Sequence, residues 1–137
     1  MEKESGTHNP IKSGTPASIK DLLKKATTEM LVLFVLQFKP MYTYEMMNEI
    51  ERLSGGVLSF NTLYQAIYRL QEFGYIAESG KMVSGDNRMR VYFSITEEGR
   101  EYLKKLIAEY RTVTGAVDRI LALKDLDPPD TGEGERK

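Results

Sequence analysis

The stretch Ser59-Phe60-Asn61-Thr62-Leu63-Tyr64-Gln65-Ala66-Ile67-Tyr68-Arg69-Leu70-Gln71-Glu72-Phe73-Gly74 decides the reading of this chain. Leu63, Ile67 and Leu70 recur at the spacing of one buried helical face, and Gly74 supplies a stop. The pattern predicts a helix over 59–73. Its outward residues are Ser59, Asn61, Thr62, Tyr64, Gln65 and Tyr68, with Arg69 further on. Hydroxyl and amide side chains of this kind bond phosphates and base edges. No glutamate precedes Glu72 to oppose an anion at the start of the helix.

On the C-terminal side the period changes. Tyr75 to Lys81 and Arg88 to Ile95 are strand-like, and Ser84-Gly85-Asp86-Asn87 between them reads as a hairpin tip. From Lys81 to Arg90 the bases Lys81, Arg88 and Arg90 face a single acid, Asp86. Arg88 and Arg90 are two apart, so a strand would set both on one face, suited to phosphates or a minor groove.

On the N-terminal side, Ser54-Gly55-Gly56 breaks a helix predicted over 42–53, with Tyr44, Met47, Ile50 and Leu53 as its apolar stripe. Before it, Thr27 or Thr28 is expected to cap a buried helix over 28–38, ended by Lys39-Pro40. Ser18 is expected to cap a short separate helix over 19–25. The order is helix, helix, turn, helix, hairpin, and these are the parts of a winged helix-turn-helix.

Thr96 then caps a last helix running to about Lys124, with Glu97 and Glu98 at its positive end. Leu103, Leu106, Tyr110, Val113, Val117 and Ile120 alternate three and four apart, and Leu121 thickens the stripe. This heptad-like seam is longer than one small domain needs, so it is expected to pair with a second copy. The fold class expected is therefore mainly α with a small β-hairpin: a winged helix-turn-helix plus a long C-terminal dimerisation helix.

At these residues the sequence resembles the PadR-like transcriptional regulators, a family of dimeric winged-helix proteins. Thr62-Leu63-Tyr64-Gln65-Ala66-Ile67-Tyr68-Arg69-Leu70 with Gly74 matches the family's recognition-helix pattern, with Gln65 in place of its usual proline. Arg88, Arg90, Tyr92, Phe93, Ile95, Thr96 and Gly99 match its wing, and Thr43-Tyr44-Glu45 its second core helix. The resemblance covers about residues 28–124. It implies a homodimeric repressor that binds double-stranded DNA at an inverted repeat. Ser59, Asn61, Thr62, Tyr64, Gln65, Tyr68, Arg69, Lys81, Arg88 and Arg90 are its expected DNA contacts. It also implies a small aromatic effector in the dimer cleft. Some members use tryptophan there; this chain has none, and Tyr102 and Tyr110 are the candidates in its place.

The totals are compatible with this reading and exclude others. The chain has 137 residues, a net charge of -1, no cysteine and one histidine, His8. Disulfides, zinc-cysteine sites, thiol nucleophiles and histidine triads are ruled out, so neither catalysis nor a metal or cofactor is expected. No apolar run suits a membrane or a secretory signal, so the expected location is the cytoplasm. The expected organisation is a disordered arm over 1–15, a winged-helix domain with its short N-terminal helix over 16–96, the dimerisation helix over 97–126 and a disordered acidic tail over 127–137. The near-neutral total leaves one alternative: a winged-helix module that binds protein and makes no direct contact with DNA.

Overall fold

In the computed structural model, which describes residues 14–126, the first helix begins at a cap the sequence reading passed over. The Thr15 hydroxyl accepts the Ser18 N–H at 3.1 Å, and Pro16 occupies the first helical position. The rest of the expected arm and the whole expected tail over 127–137 lie outside the described residues.

Helix α1 (Pro16–Leu36) is continuous through the break expected at Thr27–Thr28. The reason is local. The Thr27 and Thr28 hydroxyls donate back to the carbonyls of Leu23 and Lys24, at 2.7 and 2.6 Å. A threonine satisfied this way rides inside a helix and caps nothing. The second half of α1 holds the centre of the core: Val32, Leu33, Val35 and Leu36 are buried.

Helix α2 (Thr43–Leu53) buries Met46 and Ile50. Two members of its expected stripe, Tyr44 and Leu53, are exposed. Helix α3 (Tyr64–Glu72) buries Ala66, Ile67 and Leu70, with Leu63 just ahead of it also buried. It starts five residues later than expected, at Tyr64. The Thr62 hydroxyl accepts the Tyr64 N–H at 3.2 Å, and the first helical bond is from Ile67 N–H to the Leu63 carbonyl at 2.9 Å. Side chains such as Ser59, Asn61 and Thr62 offer the backbone local alternatives to helix. Gly74, at φ +78, ends α3, and the Tyr75 N–H returns to the Leu70 carbonyl at 2.8 Å.

Strands β1 (Ile76–Val83) and β2 (Met89–Ile95) pair antiparallel, from Ile76 with Ile95 to Val83 with Met89, with a bulge between Glu78 and Gly80. Met41 adds a one-residue bridge to Phe93, through bonds of 2.9 and 3.1 Å. That bridge ties the segment before α2 to the wing. Phe93 and Ile76 send their side chains into the core beneath α1 and α3.

Helix α4 (Glu97–Leu121) is capped as expected. The Thr96 hydroxyl accepts the Gly99 N–H at 3.0 Å and donates to the Gly74 carbonyl at 2.6 Å. One side chain therefore closes the end of α3 and opens α4. Thr96→Val should cost about 1–2 kcal/mol, since it removes both the acceptor of the Gly99 N–H and the donor to the Gly74 carbonyl. The midpoint of urea unfolding checks this.

The chain divides into two compact units, with the boundary inside α4 after Leu103. The first holds everything up to Leu103, which is itself buried in that unit's core. The second is the remainder of α4 and the short segment after it. Within it, Tyr110, Val113, Val117, Ile120 and Leu121 are all exposed along the helix.

Candidate nucleic-acid interface

Burial of Leu63, Ala66, Ile67 and Leu70 turns the opposite side of α3 outward. Tyr64, Gln65, Tyr68 and Arg69 line one shared surface there. Tyr64 is 77% exposed and Tyr68 68% exposed, so neither is a packing residue. An exposed tyrosine pair is not what burial alone would select. Arg69 is partly committed: its guanidinium meets the Glu29 carboxylate of α1 at 2.5 Å.

Tyr64 stands between two clefts. The cleft on the wing side has a volume of about 660 Å³ and is lined by Tyr42, Thr43 and Tyr44 at the start of α2, and by Asp86, Arg88 and Arg90 of the wing, among others. The cleft on the α1 side, about 470 Å³, brings Lys24, Lys25 and Thr28 beside Phe60, Thr62 and Gln65. The Lys24 ammonium sits 5.2 Å from the centre of the Phe60 ring. Ser59, Asn61 and Lys81 are exposed but line neither cleft. The structure thus gathers Thr62, Tyr64, Gln65, Tyr68, Arg69, Arg88 and Arg90 about the two clefts and the ridge between them, while Ser59, Asn61 and Lys81 are exposed outside the cleft linings.

Sequence reasoning did not place Tyr44, Lys24 or Lys25 here. The spacing of Tyr44 with Met47, Ile50 and Leu53 points to a buried stripe, and the structure turns it outward. The signal available for the two lysines was their local basic excess on an otherwise neutral chain, with nothing to say which surface they would join.

The two wing arginines differ. Arg88 lies in the tip just before β2, and its side chain is 78% exposed. Arg90 is only 25% exposed. Its guanidinium carbon sits 4.5 Å over the Tyr42 ring, and its Nε is buried with no hydrogen-bond partner among the described residues. Tyr92 packs edge-on against the same Tyr42 ring at 5.4 Å. Asp86 stands between the arginines. The Ser84 hydroxyl, the Arg88 amide and the two guanidiniums together hold its carboxyl below the ordinary carboxylate range, against a smaller opposing effect of desolvation. It therefore stays ionised throughout the neutral range.

Two expected residues have other partners. The Tyr102 ring stacks on Tyr75, 4.1 Å between centres and 9° from parallel. That occupies a face which was expected to meet an effector. Leu103, expected in a dimer seam, is 3% exposed and completes its own unit's core. The exposed part of that expected seam begins beyond it.

These features have close counterparts. The family model of the transcriptional regulator PadR-like family matches residues 32–105, more than half of the chain and all of the helix-turn-helix and wing. The chain belongs to the PadR-like family. A PadR family transcriptional regulator from Eggerthella lenta is 27% identical, covering 79% of this chain and 93% of that one, with a TM-score of 0.65. A transcriptional regulator from a Streptococcus is 26% identical over 72% of this chain and 95% of that one, at 0.60. The PadR-like transcriptional regulator of Bacillus cereus, 21% identical over 75% of this chain and 99% of that one, shares the fold at 0.62. No curated protein matches the chain. This PadR-like chain is a transcriptional regulator by family. Among its described residues no helix is long and apolar enough to cross a membrane, and no group of three His, Cys, Asp or Glu side chains could hold a metal ion.

Proposed function

We propose that this PadR-like regulator is a homodimeric, sequence-specific DNA-binding repressor acting in the cytoplasm, with no catalytic step of its own. The observation that carries the reading is the outward ridge of Tyr64, Gln65 and Tyr68, with the Arg88 wing across the cleft that Tyr64 lines. A helix ridge enters a major groove, and a basic wing beside it holds the backbone. Gln65 and Thr62 supply amide and hydroxyl groups for base edges or phosphates, and Lys24 and Lys25 flank them. Pairing through the half-buried Leu106 and the exposed Tyr110, Val113, Val117, Ile120 and Leu121 of α4 would set two such ridges on an inverted repeat. Ile19, Leu22 and Leu23 of α1, all exposed, suit the same partner. A small aromatic effector remains part of the reading, with Tyr110 as its contact, since Tyr102 already stacks on Tyr75.

Selection of bound duplexes from a random pool tests sequence specificity and half-site spacing together. Arg88→Ala tests the wing. Each protomer should lose about one phosphate contact, so the slope of log affinity against log salt should flatten by about 2 per dimer. Operator and random duplexes should weaken alike, on the order of tenfold or more at low salt. Salt titrations of fluorescence anisotropy measure both. An unchanged slope removes the wing from the interface. A selection that recovers no preferred sequence favours the protein-binding alternative, for which the net charge of -1 and the acids Glu78 and Asp86 in the wing-side cleft speak.

A further inference from the structure

A carboxylate at the tip of a basic wing is out of place if the wing's only task is to attract phosphate. It carries the same sign as the ligand and stands where the ligand would come. Yet Asp86 is more fully engaged than any other side chain of the tip. Its Oδ1 accepts from the Ser84 hydroxyl and from the Arg88 N–H, the latter at 3.3 Å. Its Oδ2 faces Arg90 Nη2 at 3.3 Å and Arg88 Nε at 3.9 Å. The tip is closed around it by Asn87 at φ +66 and by the Asn87 N–H bond to the Ser84 carbonyl at 2.9 Å.

From this geometry we infer that Asp86 is a specificity-determining residue of the wing, a built-in competitor for the phosphate that Arg88 and Arg90 would otherwise take from any duplex. The inference rests on the DNA-binding reading given above. A carboxylate offers a guanidinium the same pair of acceptor oxygens as a phosphate does. With Asp86 in place, Arg88 meets DNA already partly neutralised, and Arg90 is fixed between that carboxylate and the Tyr42 ring. Such arginines repay contact only where the ridge of α3 holds a phosphate in one register. Without the charge, Arg88 would swing to whichever phosphate is nearest, and binding without sequence preference would rise most. Phosphate contacts carry that non-specific binding almost entirely, so it is there that one charge per protomer weighs most.

The test uses the full chain, a random-sequence duplex and an operator recovered by selection. Asp86→Asn keeps an acceptor for Ser84 and Arg88 and removes only the charge. It should raise affinity for the random duplex about tenfold at low salt. It should also steepen the salt slope by about 2 per dimer, and so lower the ratio of operator to random binding. Asp86→Glu, which keeps the charge, should stay near the parent. A merely structural role for Asp86 would lower the melting temperature without steepening the slope. Random-duplex binding that is unchanged or weaker in Asp86→Asn overturns the inference. Arg88→Ala, measured beside it, separates the two failures: if Arg88→Ala flattens the slope while Asp86→Asn leaves it unchanged, the wing binds DNA and Asp86 does not discriminate. If neither changes it, the DNA-binding wing itself is overturned.

Discussion

The double substitution Val117→Asp, Ile120→Asp is expected to leave a monomer that folds and no longer holds its operator. Both residues are exposed along α4, so the change leaves the buried core of the first unit untouched. Aspartate inside a helix costs at most about 0.7 kcal/mol relative to alanine. In the proposed paired seam the balance would be different. Two charges per helix would face apolar neighbours with no counter-charge among the seam residues, and burying an unpaired carboxylate costs several kcal/mol. Sedimentation at micromolar concentration should move from dimer to monomer, while the circular dichroism spectrum and melting of the first unit are retained. Operator affinity should fall roughly 10²–10⁴-fold, because two half-sites held by one dimer gain that much from effective concentration. Binding to a single half-site should change little. A persisting dimer would transfer the interface to the exposed Ile19, Leu22 and Leu23 of α1.

Gly99→Ala is expected to destabilise the first unit strongly. A Cβ at position 99 would lie 2.1 Å from the Tyr75 carbonyl oxygen and 2.8 Å from Cγ1 of Ile95. The Tyr75 carbonyl is not able to retreat, because it accepts the Thr96 N–H at 3.1 Å and is followed directly by the buried Ile76. The start of α4 would have to lift off the wing, breaking the Thr96 bonds that join α3 to α4 and disturbing the Tyr75–Tyr102 stack. Overpacking against backbone costs on the order of 3 kcal/mol. For a domain of this size that is a fall in melting temperature of roughly 10 °C or more. Gly115→Ala is the control. Nothing among the described residues lies within 4 Å of its added Cβ, and a helical glycine replaced by alanine should gain about 0.5–1 kcal/mol. Differential scanning calorimetry of the two variants should show opposite shifts; equal shifts would mean that the close approach at Gly99 is relieved by a rearrangement.

Much of the fold is legible in the sequence because its signals are local. Leu63, Ile67 and Leu70 mark the inner face of α3, Gly74 its end, and Thr96 the cap of α4, and all of them hold in the structure. The family membership was legible for a related reason, since its motifs are runs in which each residue's role depends on its near neighbours. The misplacements also have local causes. Threonine either caps a helix or bonds back within one, and Thr27 and Thr28 do the second. Ser59 to Thr62 could open a helix or resist it, and they resist it.

What the sequence by itself determined is the kind and order of the elements from α2 onward, the family, and which face of α3 is buried. What only the tertiary structure decided is the company each exposed side chain keeps. Arg69 is answered by Glu29, forty residues earlier, and Lys24 and Lys25 arrive beside Thr62 and Gln65. Tyr44 leaves the core for the wing-side cleft, Tyr102 is taken up by Tyr75, and Leu103 is claimed by its own core. Periodicity and capping depend on residues within a few positions of one another, whereas these pairings depend on how three helices and a hairpin close over one core.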